Sequence, residues 1–412
     1  MRSWPTPDVP ALPRGPDVDA PPLRLWDTAS RAVRPLAAGH QVSMYVCGIT
    51  PYDATHLGHA LTYTTFDLLV RVLRDHGHDV RYVQNVTDVD EPLFERAAQT
   101  GDTWQALGDR EIELFRADNA WLRVLPPSAY VGAVESVPWI AHLVDDLVAA
   151  GASYQLDGDS YFPISAAPRL GALSALSHEQ MVALSRERGG DPDRPGKHDP
   201  VDTVLWLAER PGEPAWESPM GRGRPGWHVE CAAIALGHLG EVIDVQGGGE
   251  DLVFPHHEMS AAMAEARTGR HPFARHNVHV ALLGLDGHKM SKSRGNLIFV
   301  HRLREAGEDP AAVRLGLLAQ PYRVAWEWTD AHLVTARARL AAWRGAVGAP
   351  AGPPAGPVLA EVRRCLADDL DTVGALRVLD RWAEAARVRG GDDPAAPALV
   401  RDLADALLGL RL

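Results

Sequence analysis

The spacing of apolar positions changes along the chain, and each change marks an element. A short apolar run at 42–46 reads as a buried strand ending in Cys47-Gly48. Apolar positions then recur at helical spacing over 57–76 and stop at Gly77, and a second apolar run at 80–84 follows at once. Strand, helix and strand in succession predict a βαβ unit of a parallel nucleotide-binding sheet, whose ligands sit beyond the carboxyl ends of the strands. Cys47 and Asn85 should therefore lie on the ligand edge. The stretch 91–150 has largely helical spacing, and 152–163 reads as a hairpin turning at Asp157-Gly158. Residues 186–197 are polar and rich in Pro and Gly. The pattern resumes near Trp227 with a helix over 229–238, a strand at 242–245, a helix opening near Pro255 and a last strand at 278–283. After Asn296 the spacing is helical to the end, broken by a linker at 348–357.

Composition narrows the class. At 412 residues the chain exceeds what one core usually serves, so two or three structural units are expected, with 126–220 inserted between two halves of the sheet. Apolar residues at 46% and charged residues at 23% are those of an ordinary folded protein. No apolar run approaches the roughly 18 residues of a membrane span, and the first 22 residues carry seven prolines instead of a secretory signal, so a cytoplasmic protein with no membrane partner is expected. Three cysteines are too few for a disulfide framework and read as thiols or metal ligands. A net charge of −13 disfavours a long polyanion as substrate. Only three of the 41 basic residues are lysines, Lys197, Lys289 and Lys292, and the last two stand three positions apart.

Two motifs carry chemistry. His56-Leu57-Gly58-His59 opens the first predicted helix; two imidazoles on one turn, with a glycine that permits close backbone approach, suit a triphosphate. Paired histidines on helices are also often simply solvated. Lys289-Met290-Ser291-Lys292-Ser293 places two ammonium groups and two hydroxyls on a loop, able to gather around a pyrophosphate leaving group. In this order the two look like the signatures of class I aminoacyl-tRNA synthetases. Met44-Tyr45-Val46-Cys47-Gly48, Asn85-Val86-Thr87-Asp88-Val89-Asp90, Pro225-Gly226-Trp227-His228-Val229-Glu230-Cys231, and Gly247-Gly248-Gly249 through Phe254-Pro255-His256-His257-Glu258 resemble the cysteine-specific branch of that family. The similarity spans about 23 to about 345.

The resemblance implies an α/β fold: a Rossmann-like parallel sheet with an inserted connective domain and a C-terminal helical bundle. The expected organisation is a Pro-rich arm (1–22), the first half of the catalytic domain (23–125), the insertion (126–220), the second half with the lysine loop (221–300), and a helical stem and bundle (301–412). It implies catalytic roles for His56, His59, Lys289 and Lys292. Cys47, Gly48, Ile49, Thr50, Thr62, Asn85, Val86, Thr87, Trp227, Gly249, Glu250, Asp251 and Leu283 are implied to bind cysteinyl-adenylate. One zinc ion is implied on Cys47, Cys231 and His256, residues whose types suit a tight site with an open fourth position. ATP, with Mg2+, and L-cysteine are the implied substrates. The family pattern has a glutamate four residues after the zinc-binding histidine; here that position is Ser260, a poor zinc ligand.

The wording of other segments separates this chain from tRNA-charging relatives. Ile49-Thr50-Pro51-Tyr52-Asp53-Ala54-Thr55, Glu91-Pro92-Leu93-Phe94-Glu95-Arg96 and Glu187-Arg188-Gly189-Gly190-Asp191-Pro192 look like the mycothiol-pathway ligases, which join cysteine to glucosaminyl-inositol. Only 119 residues follow Ser293, leaving little room for an anticodon-reading module, so glucosaminyl-inositol rather than tRNA is the expected acceptor; separately, a monomer is expected. The alternatives are a compact tRNA-charging synthetase, a small nucleotidylyltransferase, which would leave the lysine motif unexplained, and a non-catalytic synthetase relative, which would tend to lose these lysines and histidines.

Overall fold

The computed structural model describes residues 1–285, 287–289 and 297–412. A hairpin of β1 (Arg24–Asp27) and β2 (Ala32–Pro35) leads into β3 (Gln41–Ile49), α1 (Leu57–Asp75) and β4 (Asp79–Val86). β3 and β4 are parallel, with Val42 opposite Val80 and Val46 opposite Gln84, so the apolar runs read from the sequence are paired neighbours. α2 (Glu91–Thr100) and α3 (Trp104–Trp121) follow, then β5 (Ala129–Gly132) and α4 (Ala133–Ala149). β5 pairs with β4 and is the edge strand of the central sheet, although the sequence reading assigned its residues to the insertion. Four residues are too few to show a period.

The inserted unit is an antiparallel sheet in the order β6 (Tyr154–Leu156), β7 (Asp159–Phe162), β8 (Thr203–Ala208), β9 (Gly223–Pro225), with α5 (His178–Glu187) between β7 and β8 in the chain. The β6–β7 turn is at Asp157-Gly158, where φ is +51° and +89°, as the hairpin reading expects. α6 (Trp227–Leu239), β10 (Ile243–Gly249), α7 (Glu258–Thr268) and β11 (Ala274–Val280) complete the central sheet in the order β11-β10-β3-β4-β5, all parallel. β11 is not the last strand. At Ala281 the amide turns to the carbonyl of Tyr322, and β12 (Leu283–Leu285) pairs with β13 (His288–Lys289) and later with β14 (Trp326–Glu327). α8 (Val300–Glu305), α9 (Pro310–Leu317), α10 (Asp330–Val347), α11 (Gly356–Ala367), α12 (Thr372–Arg389) and α13 (Ala396–Leu408) form the helical end. Among the described residues no helix is long and apolar enough to cross a membrane.

α1 is buried on nearly every face, and its interior includes charge. Asp67 accepts hydrogen bonds from Arg71 Nε (2.8 Å), the Leu125 amide (2.7 Å) and Arg314 Nη2. Arg71 also donates to the carbonyls of Asp405 (2.9 Å) and Arg123 (2.8 Å), and Arg314 to those of Leu408 (2.6 Å) and Leu122 (3.1 Å). Burial alone would raise the Asp67 carboxyl, but Arg314 and Arg71 hold it below its ordinary value. The cluster thus joins α1, α9 and the end of α13. The Pro-rich arm is ordered against the sheet domain: Trp4 lies edge-on to Phe115 and Tyr130 and donates to the carbonyl of Val124 at 2.8 Å.

Candidate active site

β3 and β10 are neighbours, but the chain leaves them in opposite directions across the sheet, β3 toward β4 and β10 toward β11. This is the switch point at which open α/β sheets form a crevice. Cys47 and Gly48 lie near the carboxyl end of β3, and Asn85 near that of β4. The Gly48 amide donates to Asn85 Oδ1 at 2.8 Å, and Asn85 Nδ2 donates to Thr87 Oγ1 at 3.2 Å. A Cβ at Gly48 would stand 1.6 Å from the Asn85 carbonyl oxygen, so only glycine fits this strand contact. Thr50 follows β3, Ile49 and Val86 end β3 and β4, and Gly249 ends β10. All therefore fall on one edge.

Cys231 enters this edge from the second turn of α6, and His256 from the irregular turn between β10 and α7. The regular helix expected near Pro255 begins only at Glu258. The ligand atoms of Cys47, Cys231 and His256 all lie within 4.8 Å of one another. The two sulfurs are 3.7 Å apart. Tetrahedral Zn–S bonds of about 2.3 Å place two sulfurs about 3.8 Å apart, so this pair fits one ion. His256 Nε2 is 3.1 Å from Cys231 Sγ, so the imidazole and the sulfur are close enough for both to be ligands of one ion. Ser260, a neutral hydroxyl, donates to the His228 carbonyl at 2.9 Å and so supports the residue beside His256.

The second layer orients these groups. His256 Nδ1 is 3.1 Å from His228 Nδ1, and the Trp227 ring stacks on the His256 ring with centroids 4.1 Å apart. On the other side His257 Nε2 is 3.1 Å from Cys47 Sγ, His257 Nδ1 is 2.8 Å from His279 Nε2, and His279 Nδ1 is 2.8 Å from Thr28 Oγ1. Burial pushes His279 down to about 4 and lowers His257 and His228 well below the ordinary value, so the imidazoles are neutral. Burial raises the Cys47 thiol. At Cys231 burial is outweighed by hydrogen bonds from Cys47 and His256, which hold it far down, the direction a metal ligand needs. Of this layer the sequence gives a site role only to Trp227; His228 and His257 stand in the quoted motifs without one. The doubled histidine at 256–257 was a visible signal for His257; Thr28, on the first hairpin, carried none.

On the nucleotide side His56 caps α1, its ring accepting from the Gly58 amide at 3.1 Å, and it lies 3.9 Å from the His59 ring, centroid to centroid. His56 also faces Phe299 across an antiparallel bridge: the Leu57 amide donates to Ile298 and the Val300 amide to Thr55, each at 2.9 Å. The chain leaving the lysine motif is thereby tied to the histidine motif. The Lys289 backbone pairs with Gly284 at the end of β13; Lys292 lies outside the described residues. Thr62 Oγ1 donates to the Gly58 carbonyl at 3.2 Å. Glu250 accepts from the Leu282 amide at 3.3 Å, which anchors the chain beside Leu283, and Asp251 occupies the turn after Gly249.

A parallel sheet with a histidine-bearing turn at one strand end, and two cysteines and a histidine gathered at its switch point, is the architecture of a class I synthetase catalytic domain. Residues 33–338 match the family model described as tRNA synthetases class I (C) catalytic domain, and the chain belongs to that family. It is 62% identical, over all of both chains, to the L-cysteine:1D-myo-inositol 2-amino-2-deoxy-alpha-D-glucopyranoside ligase of Thermomonospora curvata. It is 59% identical to the enzyme of the same name from Thermobifida fusca, over all of this chain and 99% of the relative. Among solved structures, Mycobacterium tuberculosis methionyl-tRNA synthetase in complex with methionyl-adenylate superposes with a TM-score of 0.65. The match covers 90% of this chain and 92% of that one at 17% identity, a likeness of fold.

Proposed function

We propose that this chain is an ATP-dependent ligase of mycothiol biosynthesis. It activates L-cysteine as cysteinyl-adenylate and transfers it to the amine of glucosaminyl-inositol, releasing pyrophosphate and AMP. The observation that carries the cysteine half is the Cys47, Cys231, His256 cluster at the switch point. The acceptor half is supported by full-length relatives that bear the name of this ligase.

Three protein ligands fit one zinc ion with an open position. When bound there, zinc supplies a borderline-soft Lewis acid that the sulfur of cysteine satisfies better than the hydroxyl of serine. Trp227 and His228 hold the imidazole of His256 in place, and Gly48, closing against the Asn85 carbonyl, keeps the ends of β3 and β4 together beside the pocket. Ile49, Thr50, Thr62, Val86, Thr87, Gly249, Glu250, Asp251 and Leu283 complete the adenylate pocket in this reading. The cysteine carboxylate attacks the α-phosphorus of ATP. His56 and His59 steady the phosphates, and Lys289 and Lys292 neutralise the departing pyrophosphate. The amine of the glucosamine unit then attacks the adenylate carbonyl, and AMP leaves as the amide forms.

The test supplies ATP and cysteine and follows AMP release with glucosaminyl-inositol or with tRNA as acceptor. Turnover with the amino sugar is expected; turnover sustained by tRNA alone overturns the acceptor assignment.

A further inference from the structure

The segment 249–258 carries three expected adenylate-pocket residues and His256, yet much of what holds it comes from the inserted unit. Arg188 Nη1 donates to the carbonyls of Asp251 and Phe254, both in the irregular turn. The Phe254 side chain, 1% exposed, belongs to an apolar cluster with Met181 and Val201 of the insertion. Glu258 accepts from the amides of Gly171 (2.6 Å), Leu173 (3.1 Å) and Ser174 (3.3 Å). Cys47 and Cys231, by contrast, stand on the central sheet and on α6. The insertion therefore holds the chain on both sides of His256, whereas Cys47 and Cys231 are set by the catalytic domain.

The local sequence is built to aim Arg188. α5 ends at Glu187, and Gly189 takes φ +83°. The Gly190 amide donates to the Ser185 carbonyl at 2.8 Å, and a Cβ there would stand 2.2 Å from Ser185 Oγ. Asp191 then anchors the chain, accepting from Lys197 Nζ at 2.8 Å and from the Tyr161 hydroxyl. Lys197, the lysine outside the signature motif, is 2% exposed at its side chain and serves this turn.

We propose that Arg188 is a positioning residue: its guanidinium fixes the 251–254 carbonyls and so sets the distance from His256 and the Gly249–Asp251 turn to the two cysteines. This rests on the cysteine-activating reading above. Among the described residues the side-chain hydrogen bonds of Arg188 go to the 251–254 carbonyls, on the side of the cysteine pocket, so its loss should disturb that pocket and spare the nucleotide side.

The experiment measures cysteine-dependent ATP–pyrophosphate exchange, which needs no acceptor, in wild type, Arg188→Ala, Arg188→Lys and the control Arg186→Ala, whose partner Asp193 is an exposed ion pair. In Arg188→Ala the KM for cysteine is expected to rise by about tenfold or more, as for other residues that orient metal ligands. The KM for ATP should stay near wild type. Arg188→Lys or added ethylguanidine should recover part of the loss, and amide hydrogen exchange across 252–258 should quicken only in the Ala variant. A cysteine KM unchanged in Arg188→Ala, or KM values for cysteine and ATP rising together with no recovery by Lys or ethylguanidine, overturns the positioning role alone. Absence of cysteine-dependent exchange in wild type takes down both this inference and the proposed function.

Discussion

Cys47 and Cys231 stand 184 residues apart in the chain, and their sulfurs meet at 3.7 Å across the crevice between β3 and α6. Neither residue has a local reason to be there. The parallel sheet brings them together, and His256 completes a set whose spacing suits one tetrahedral ion.

Replacing Cys231 with Ala is therefore expected to remove bound zinc and cysteine-dependent pyrophosphate exchange together. Ser260→Ala should keep both, because a neutral hydroxyl is a poor zinc ligand and three stronger donors already gather at the site. Metal analysis alongside exchange assays decides this: zinc retained at full stoichiometry in Cys231→Ala would reject the site.

Gly48 has no room for a side chain. Gly48→Ala drives a methyl into the Asn85 carbonyl, so β3 and β4 must part where Asn85 receives the Gly48 amide. Overpacking of this kind costs about 1–3 kcal/mol, and the local loss at the pocket should exceed the global one. Urea unfolding paired with the KM for cysteine measures the two separately; a variant with wild-type values for both would show that the strands yield freely.

His56→Ala and Lys289→Ala test the nucleotide side. Each is expected to lower kcat of adenylate formation by about 10²–10³, as removal of a group that stabilises developing charge does, with a smaller effect on the KM for cysteine. Pre-steady-state pyrophosphate release reports the step directly.

Asp118 makes stability depend on pH. Burial pushes its carboxyl up to about 7, although Arg304 at 3.4 Å and a backbone amide at His301 pull the other way and Glu305 adds to the rise. The unfolded carboxyl ionises near 3.8. Between these values only the folded state holds the proton, so this contribution is full below about pH 4, falls as pH rises toward 7 and is level above. Asp118→Asn should gain on wild type through that window, by on the order of 2–4 kcal/mol. Thermal midpoints at pH 5 and pH 8 check the sign; an equal gap at both would remove Asp118 from the account.

Arg314→Met leaves the buried Asp67 with one guanidinium instead of two and the Leu408 carbonyl without its donor. Breaking a buried charge cluster from one side costs about 3–5 kcal/mol, readable in urea unfolding.

The sequence disclosed those parts of the molecule whose cause is local. The runs at 42–46 and 80–84 are β3 and β4 because strand burial repeats within a few residues, and the Asp157-Gly158 turn shows in its own residue types. β5, four residues long, shows no period and was placed in the wrong unit. Cys47, Cys231 and His256 were reached by resemblance to a family; nothing in their spacing would have gathered them. His257, His279 and Thr28 escaped because their bonds join strands and turns remote in sequence. Asp67 and Arg314 read as polar positions on helices, and only the fold turns them inward.

Three of the five carbonyls that receive Arg71 and Arg314 belong to residues 405, 406 and 408; the other two are those of Leu122 and Arg123. Without those residues Arg71 of α1 and Arg314 of α9 keep only Asp67 and the carbonyls of Arg123 and Leu122, and the helix that carries the histidine turn has an unfinished support. A shortened chain that still holds every motif would thus carry its histidine turn on a helix whose far side has lost part of its hydrogen bonding.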